Sequence, residues 1–297
     1  MTQPETKEPW TIGAVLKWAA DDFRARGIES PRLDAEVLLA HALSCSRTQL
    51  IIDMMRPLVG DELARFRDLV KRRRHREPVA YLRGEREFYG RTFRVDARVL
   101  VPRPDTETLI DVALARTRHL SMSARVLDLC TGSGCVALTL ALTRPTTQVT
   151  ATDISEEALA LAQENALRLG APSVAFVRAD LFGELRGPFD LVTANPPYIA
   201  SAEIATLAPD VQRFEPRLAL DGGDDGLVLV RRIVDEAPRY LAKGGVLAME
   251  IGAGQADAVA ALFEARGFED VSRARDLARI ERVVSGVWNK SPAPGVG

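Results

Sequence analysis

Asn195-Pro196-Pro197-Tyr198 directly follows Thr193-Ala194, at the end of the apolar run Phe189-Asp190-Leu191-Val192. The run predicts a buried strand that delivers an asparagine to its carboxyl end, where open α/β sheets place their ligands. Neither proline has an N–H to give, and the first holds Asn195 extended. Carbonyls in this turn are therefore left to accept hydrogen bonds from something else. An Asn side-chain oxygen, a rigid carbonyl at Pro196 and the ring of Tyr198 together suit a planar group carrying an NH2. The same residues would also serve as a plain Pro-rich turn, and only the rest of the chain separates the two readings.

A second set of residues has the spacing of a nucleoside site. Arg125-Val126-Leu127-Asp128-Leu129 reads as a strand, and Cys130-Thr131-Gly132-Ser133-Gly134-Cys135 as a small-residue turn into a helix over Val136–Thr143. Glycines there let the backbone approach a ligand closely, with helix N–H groups facing it. The next strand, Gln148–Thr152, ends in Asp153, about twenty residues on, where an acid can take both hydroxyls of a ribose. A strand over Val174–Arg178 ends in Ala179-Asp180-Leu181 and puts Asp180 on the same rim. A dinucleotide site would show a third glycine where Ala137 stands, which is a permitted variant. Asp128, however, precedes the glycines, where it would repel a pyrophosphate. It suits a ligand with an ammonium group and no phosphate, so S-adenosylmethionine fits better than NAD. Cys130 and Cys135 flank the loop, but with no His nearby in sequence they read as small packing residues rather than nucleophiles.

The elements that must position these residues alternate strand and helix from Arg125 onward, ending with a helix over Leu227–Leu241, a strand over Gly245–Ile251 and two strands near Val271 and Val283–Val287. Before them, apolar residues at helical spacing predict four helices. Thr11 caps the first, and Ser30-Pro31 begins the second, with Leu33, Val37, Leu38 and Leu43 as its stripe. A third covers Arg47–Met55, and Asp61 caps the fourth. The run Lys71-Arg72-Arg73-Arg74-His75-Arg76 offers a phosphate contact or, as is commoner, a solvated helix end. Phe88–Val95 reads as a hairpin around Gly90. Val101–Glu107 is a rigid lead into another helix, and the long Phe214–Gly226 stretch reads as an ordered lid. The expected division is a helical substrate-recognition domain over 1–78, a hairpin linker over 79–101, a catalytic domain over 102–288 and a frayed tail over 289–297.

The chain has 297 residues, 46% apolar and 27% charged, with a net charge of -2. That balance argues against holding nucleic acid by bulk electrostatics. Three cysteines are too few for a disulfide framework and lack metal-ligand spacing, which fits a reducing cytosol and predicts no metal. No run of eighteen apolar residues and no secretory signal is visible, so neither a membrane span nor export is expected.

Taken together, the Glu87-Phe88-Tyr89-Gly90 hairpin, Arg103-Pro104-Asp105-Thr106-Glu107, the glycine loop, Asn195–Tyr198 and Phe214–Gly226 resemble the protein-(glutamine-N5) methyltransferases, and within them the release-factor branch. The resemblance covers nearly the whole chain. It implies an α/β fold: a Rossmann-like seven-stranded class I methyltransferase domain with its last strand antiparallel, preceded by a small N-terminal helical bundle and a β-hairpin linker. The implied reaction moves a methyl group from S-adenosylmethionine to the side-chain amide nitrogen of the Gln in the Gly-Gly-Gln loop of class 1 peptide chain release factors. By position, Asp128, Cys130, Thr131, Gly132, Ser133, Gly134, Asp153, Asp180, Leu181 and Asn195 would hold the cofactor. Asn195, Pro196, Pro197 and Tyr198 would hold the glutamine, with Asn195, Pro196 and Tyr198 shaping catalysis. Leu181 stands where some members carry an aromatic beside the adenine. A sister enzyme that modifies a glutamine of ribosomal protein L3 can share the glycine loop. The same residues would also suit an exocyclic-amine methyltransferase of DNA or RNA, or a binding-only protein that keeps the fold without turnover.

Overall fold

The computed structural model describes residues 10–119 and 123–290. The chain divides into two compact units. One runs to Gly84 and takes in Pro209–Phe214; the other holds the rest. The expected frayed tail lies outside the described residues from 291 on.

The first unit begins with helices α1 (Ile12–Ala25), α2 (Pro31–Leu43), α3 (Arg47–Ile52), α4 (Gly60–Arg74) and α5 (Val79–Arg83). Thr11 caps α1 as predicted, its hydroxyl accepting from the Ala14 N–H at 3.2 Å. The start of α4 differs from expectation. Val59 is its N-cap, and Glu62 reaches back to accept the Val59 N–H at 3.1 Å, so Asp61 lies inside the first turn. The stripe of α2 is met in part: Leu38 is buried and Leu43 packs against the core, but Leu33 is exposed, and Ala35, Leu39, Ala40 and Ala42 complete the buried face. Small alanines carry much of that face, and a pattern weighted toward large apolar residues overlooks them. The basic run is solvated at Lys71, Arg72 and His75, as expected of a helix end, but its centre is neither solvated nor open to a phosphate. Arg73 is buried, its Nε donating to Asp34 at 2.8 Å and its Nη1 to Asp210 at 2.6 Å. Arg72 pairs with Glu77 and Arg74 with Asp22. The run ties the unit together from within.

In the second unit the hairpin β1 (Glu85–Phe88) and β2 (Arg91–Arg94) turns at Tyr89-Gly90, both with positive φ. Then follow α6 (Glu107–Arg116), β3 (Arg125–Leu129), α7 (Cys135–Thr143), β4 (Gln148–Asp153), α8 (Glu156–Leu169), β5 (Ala175–Arg178) and β6 (Phe189–Ala194). After α9 (Pro209–Phe214) come α10 (Val228–Glu236), β7 (Leu241–Glu250), α11 (Ala256–Arg266), β8 (Glu269–Arg275) and β9 (Glu281–Trp288). The large sheet has seven strands in the order β5-β4-β3-β6-β7-β9-β8. All are parallel to their neighbours except the last strand, β9, which runs antiparallel to both β7 and β8. Strand order reverses between β3 and β6, and the carboxyl ends of that pair form the crevice in which such sheets bind ligands. The central strands read as near-continuous apolar runs because helices cover both faces. Among the described residues, no helix is long and apolar enough to cross a membrane.

Candidate active site

At the switch point, register sets the first contacts. Asp128 on β3 lies opposite Thr193 on β6. Its Oδ1 accepts from the Thr193 hydroxyl at 2.8 Å and its Oδ2 from the Thr131 hydroxyl at 2.7 Å. Burial of this side chain, 1% exposed, pushes its pKa up to about 7 against the pull of the two hydroxyls. The glycine loop then leaves β3 with Cys130 and Gly132 at positive φ. Gly134 begins α7 at φ 79°, and a Cβ there would sit 3.1 Å from Leu138 and 3.2 Å from Ala162. Only glycine lets this turn close onto α8.

Asp153, at the end of β4, holds the loop from the other side. Its Oδ2 accepts the Gly132 N–H and its Oδ1 the Ser155 N–H, both at 2.9 Å. Burial nevertheless raises its pKa. Asn165 on α8 is fully buried and donates to the Ser133 carbonyl while exchanging two bonds with the Arg94 backbone. One amide thus ties the hairpin to the glycine loop. Burial pushes the Cys135 thiol up to about 12 and raises that of Cys130 as well, so both stay protonated and neither is a poised nucleophile.

Asp128, Cys130, Thr131, Gly132, Ser133, Asp153, Asp180, Leu181, Asn195 and Pro197 line one cavity. Gly134, Pro196 and Tyr198 do not. The cavity offers about 260 Å³, against the ~10–15 Å³ that a single water needs, so it is sized for a ligand. Leu181 is buried at φ 54° with its carbonyl fixed by the Thr152 hydroxyl. Asp180 pairs with Arg232 on α10 at 3.0 Å. Ile154 and Leu229 add apolar walls, and no local pattern in the chain marks either.

The Asn195 Nδ2 donates to Thr106 Oγ1 at 3.3 Å. Among the described residues nothing donates to its Oδ1 or to the Pro196 carbonyl. Tyr198 turns away from the cavity, and its hydroxyl donates to Glu250 Oε1 at 3.3 Å. The Phe214–Gly226 stretch is ordered and stitched to this turn: Ile199 donates to the Leu220 carbonyl at 3.0 Å, and Gly222 donates back to that of Ile199 at 2.8 Å. A Cβ on Gly222 would lie 2.7 Å from the Pro197 carbonyl oxygen, and one on Gly226 2.3 Å from that of Tyr198. Glycine is required at both. Arg103 clamps the start of the stretch, its Nη2 donating to Glu215 at 2.7 and 2.8 Å.

A pH effect follows from the raised carboxyls. Asp128 and Glu250, each pushed up to about 7 by burial, stay protonated in the folded chain where the unfolded chain has ionised. Their contribution to stability is full below about pH 4 and is lost as pH rises through 7. Asp128→Asn abolishes its share. The stability of the variant relative to the parent should therefore rise by on the order of 1.4 kcal/mol per pH unit across that window. Denaturant melts at pH about 5 and 7 measure this, and parallel pH curves for the two proteins would contradict it.

Comparison with known proteins agrees with this geometry. Residues 14–84 match the PrmC N-terminal domain and residues 106–212 the methyltransferase small domain. A release factor glutamine methyltransferase from Geobacter sulfurreducens is 46% identical, over 95% of this chain and 98% of that protein. One from Rhodopirellula baltica is 41% identical, over 96% and 99%. In fold alone, a methyltransferase structure from Pyrococcus furiosus superposes with a TM-score of 0.51 at 18% identity, covering 68% of this chain and 91% of that one. With its seven-stranded sheet, its glycine loop clamped by Asp153 and its Asn-Pro-Pro-Tyr turn at the switch point, the chain belongs to the release factor glutamine methyltransferases.

Proposed function

We propose that this enzyme methylates the side-chain amide nitrogen of the Gln in the Gly-Gly-Gln loop of class 1 peptide chain release factors, in the cytoplasm, with S-adenosylmethionine as donor. The observation that carries the reading is Asn195: its Nδ2 is committed to Thr106, and its oxygen stands uncommitted at the rim of the cavity.

The residues present fit the donor. Asp153 has lone pairs left beyond its two backbone bonds and would take the ribose hydroxyls. Asp128 would face the ammonium, which gives its buried carboxyl a reason to ionise. Leu181 and Ile154 would flank the adenine by apolar contact in place of an aromatic. When bound, the donor supplies an electrophilic methyl on a sulfonium sulfur.

The acceptor is a poor nucleophile, because an amide nitrogen shares its lone pair with the carbonyl. The work of the site is therefore positioning and electrostatics. Asn195 Oδ1 and the Pro196 carbonyl would each accept one N–H of the glutamine amide. That fixes the nitrogen and favours positive charge growing on it. No side-chain base is required, since the nitrogen, once cationic, sheds its proton to water.

The first unit exposes Ile51, Ile52 and Met55 on and just after α3, at 66%, 70% and 83%. Adjacent apolar exposure of this kind marks a protein-contact surface, and we assign it to the release factor. Incubating an intact release factor with enzyme and donor should add one methyl group to the Gly-Gly-Gln glutamine by mass spectrometry. An Ile51→Ser, Met55→Ser enzyme should need several-fold more intact factor to reach the same rate. Methylation of duplex DNA, ribosomal RNA or ribosomal protein L3 with the release factor left unmodified would overturn the assignment.

A further inference from the structure

One buried carboxyl near the Asn-Pro-Pro-Tyr turn has no part in the chemistry above. Glu250 ends β7 and is 1% exposed. Its Oε1 accepts the Tyr198 hydroxyl at 3.3 Å, and its Oε2 is buried with no hydrogen-bond partner. A carboxylate oxygen left bare in the interior is costly, so its retention calls for a reason. The Thr106 hydroxyl lies beside this carboxyl.

Thr106 supplies that reason through its own hydrogen-bond count. A hydroxyl has one hydrogen to donate and lone pairs to accept with. Thr106 is 2% exposed, so bulk water does not compete for that hydrogen. Its oxygen accepts from Asn195 Nδ2 at 3.3 Å, and the carboxyl beside it, with one oxygen unpartnered, is the acceptor on offer for its hydrogen. A hydrogen turned toward that bare oxygen would leave Thr106 able to meet Asn195 only as an acceptor. The Asn195 amide must then show it the NH2 and keep the oxygen for the cavity. An amide whose two ends are nearly the same size would otherwise flip.

We infer that Glu250 is a positioning residue for the acceptor clamp: through the Thr106 hydroxyl it sets which way the Asn195 amide faces, and through the Tyr198 hydroxyl it tethers the other end of the same turn. The inference rests on the clamp reading of Asn195. It also gives Tyr198 a task consistent with its place outside the cavity lining, that of an anchor rather than a wall.

The orientation holds only while Glu250 is ionised, since a protonated carboxyl can donate to Thr106 and reverse the chain of donors. Burial pushes its pKa up to about 7, and the charged and titratable groups around it are Arg282 on β9, Asp105 before α6, Tyr198 on the turn and Cys135 at the start of α7. Arg282 favours the ionised form and Asp105 opposes it. The turnover rate should therefore rise with pH through about 7. Asp128 titrates in the same range but governs donor binding, so the rate is read at saturating donor.

The test is the full-length enzyme with intact release factor. Glu250→Gln should lower kcat by roughly 10-fold or more, leave donor affinity within about twofold and remove the limb of the pH profile near 7. Thr106→Val should cost a similar factor, the double variant little more than either alone, and Thr106→Ser should recover most of the rate. A merely structural role would lower the melting temperature and leave the pH limb in place. Should Glu250→Gln fail to fold, the Thr106→Val and Thr106→Ser pair carries the test alone. A normal kcat in Thr106→Val, or a retained limb in Glu250→Gln, with Asn195→Ala still impaired, would overturn the positioning role and leave the clamp standing. Normal turnover in Asn195→Ala would remove the clamp itself.

Discussion

Asn195→Ala should lower turnover by roughly 10²-fold or more while leaving donor affinity nearly unchanged. On the proposed clamp, the side-chain oxygen it removes would stabilise charge that grows on the acceptor nitrogen only as the methyl group moves, so the loss should fall on kcat. Read from the turn alone, Asn195→Asp would be the milder change, because it keeps an acceptor oxygen. The fold argues otherwise. An Asp there loses the NH2 that Thr106 accepts and brings a second carboxyl close to buried Glu250, whose pKa is already pushed up to about 7. It should therefore be at least as slow as the Ala variant near neutral pH. Single-turnover rates on both variants, each first shown to bind donor normally, decide this. If Asn195 only shapes a turn, the variants will differ from the parent in melting temperature and not in rate per folded molecule.

What could be read from the sequence was what is local in it. The glycine loop, Asp153 and Asn195 each sit at a strand's carboxyl end or within a few residues of it, so strand periodicity and turn chemistry were enough to place them on one rim. The parallel sheet with a single antiparallel strand followed from the family resemblance. What stayed hidden depends on closure over long separations. Thr106 meets Asn195 across 89 positions and Arg103 meets Glu215 across 112. No window along the chain holds both partners. The basic run shows the same limit from the opposite side. Its charges read as solvated because the acids that bury Arg73, Asp34 and Asp210, lie 39 and 137 positions away. The α2 stripe is incomplete for another reason: Ala35 and Ala42 are buried for their small size, which a hydrophobicity pattern underweights.

Asp153→Ala should weaken donor binding by about 10²-fold or more, since it removes two charge-assisted acceptors worth about 1.5–3 kcal/mol each. The structure shows that loss alone would not prove a ribose contact. Both oxygens of this carboxylate already hold backbone N–H groups, one of them on the glycine loop at Gly132. The Ala variant therefore also loosens the loop, and any ligand touching that loop would suffer. A cycle with the ligand separates the two effects. S-adenosylhomocysteine lacking the ribose 2′-hydroxyl should bind the parent enzyme at least about tenfold more weakly than the intact compound. It should bind Asp153→Ala about as well as the intact compound does. If Asp153 acts only through the loop, calorimetry will find the intact compound preferred by the same factor in both proteins. The ribose hydroxyls would then have to be taken by another group on the rim.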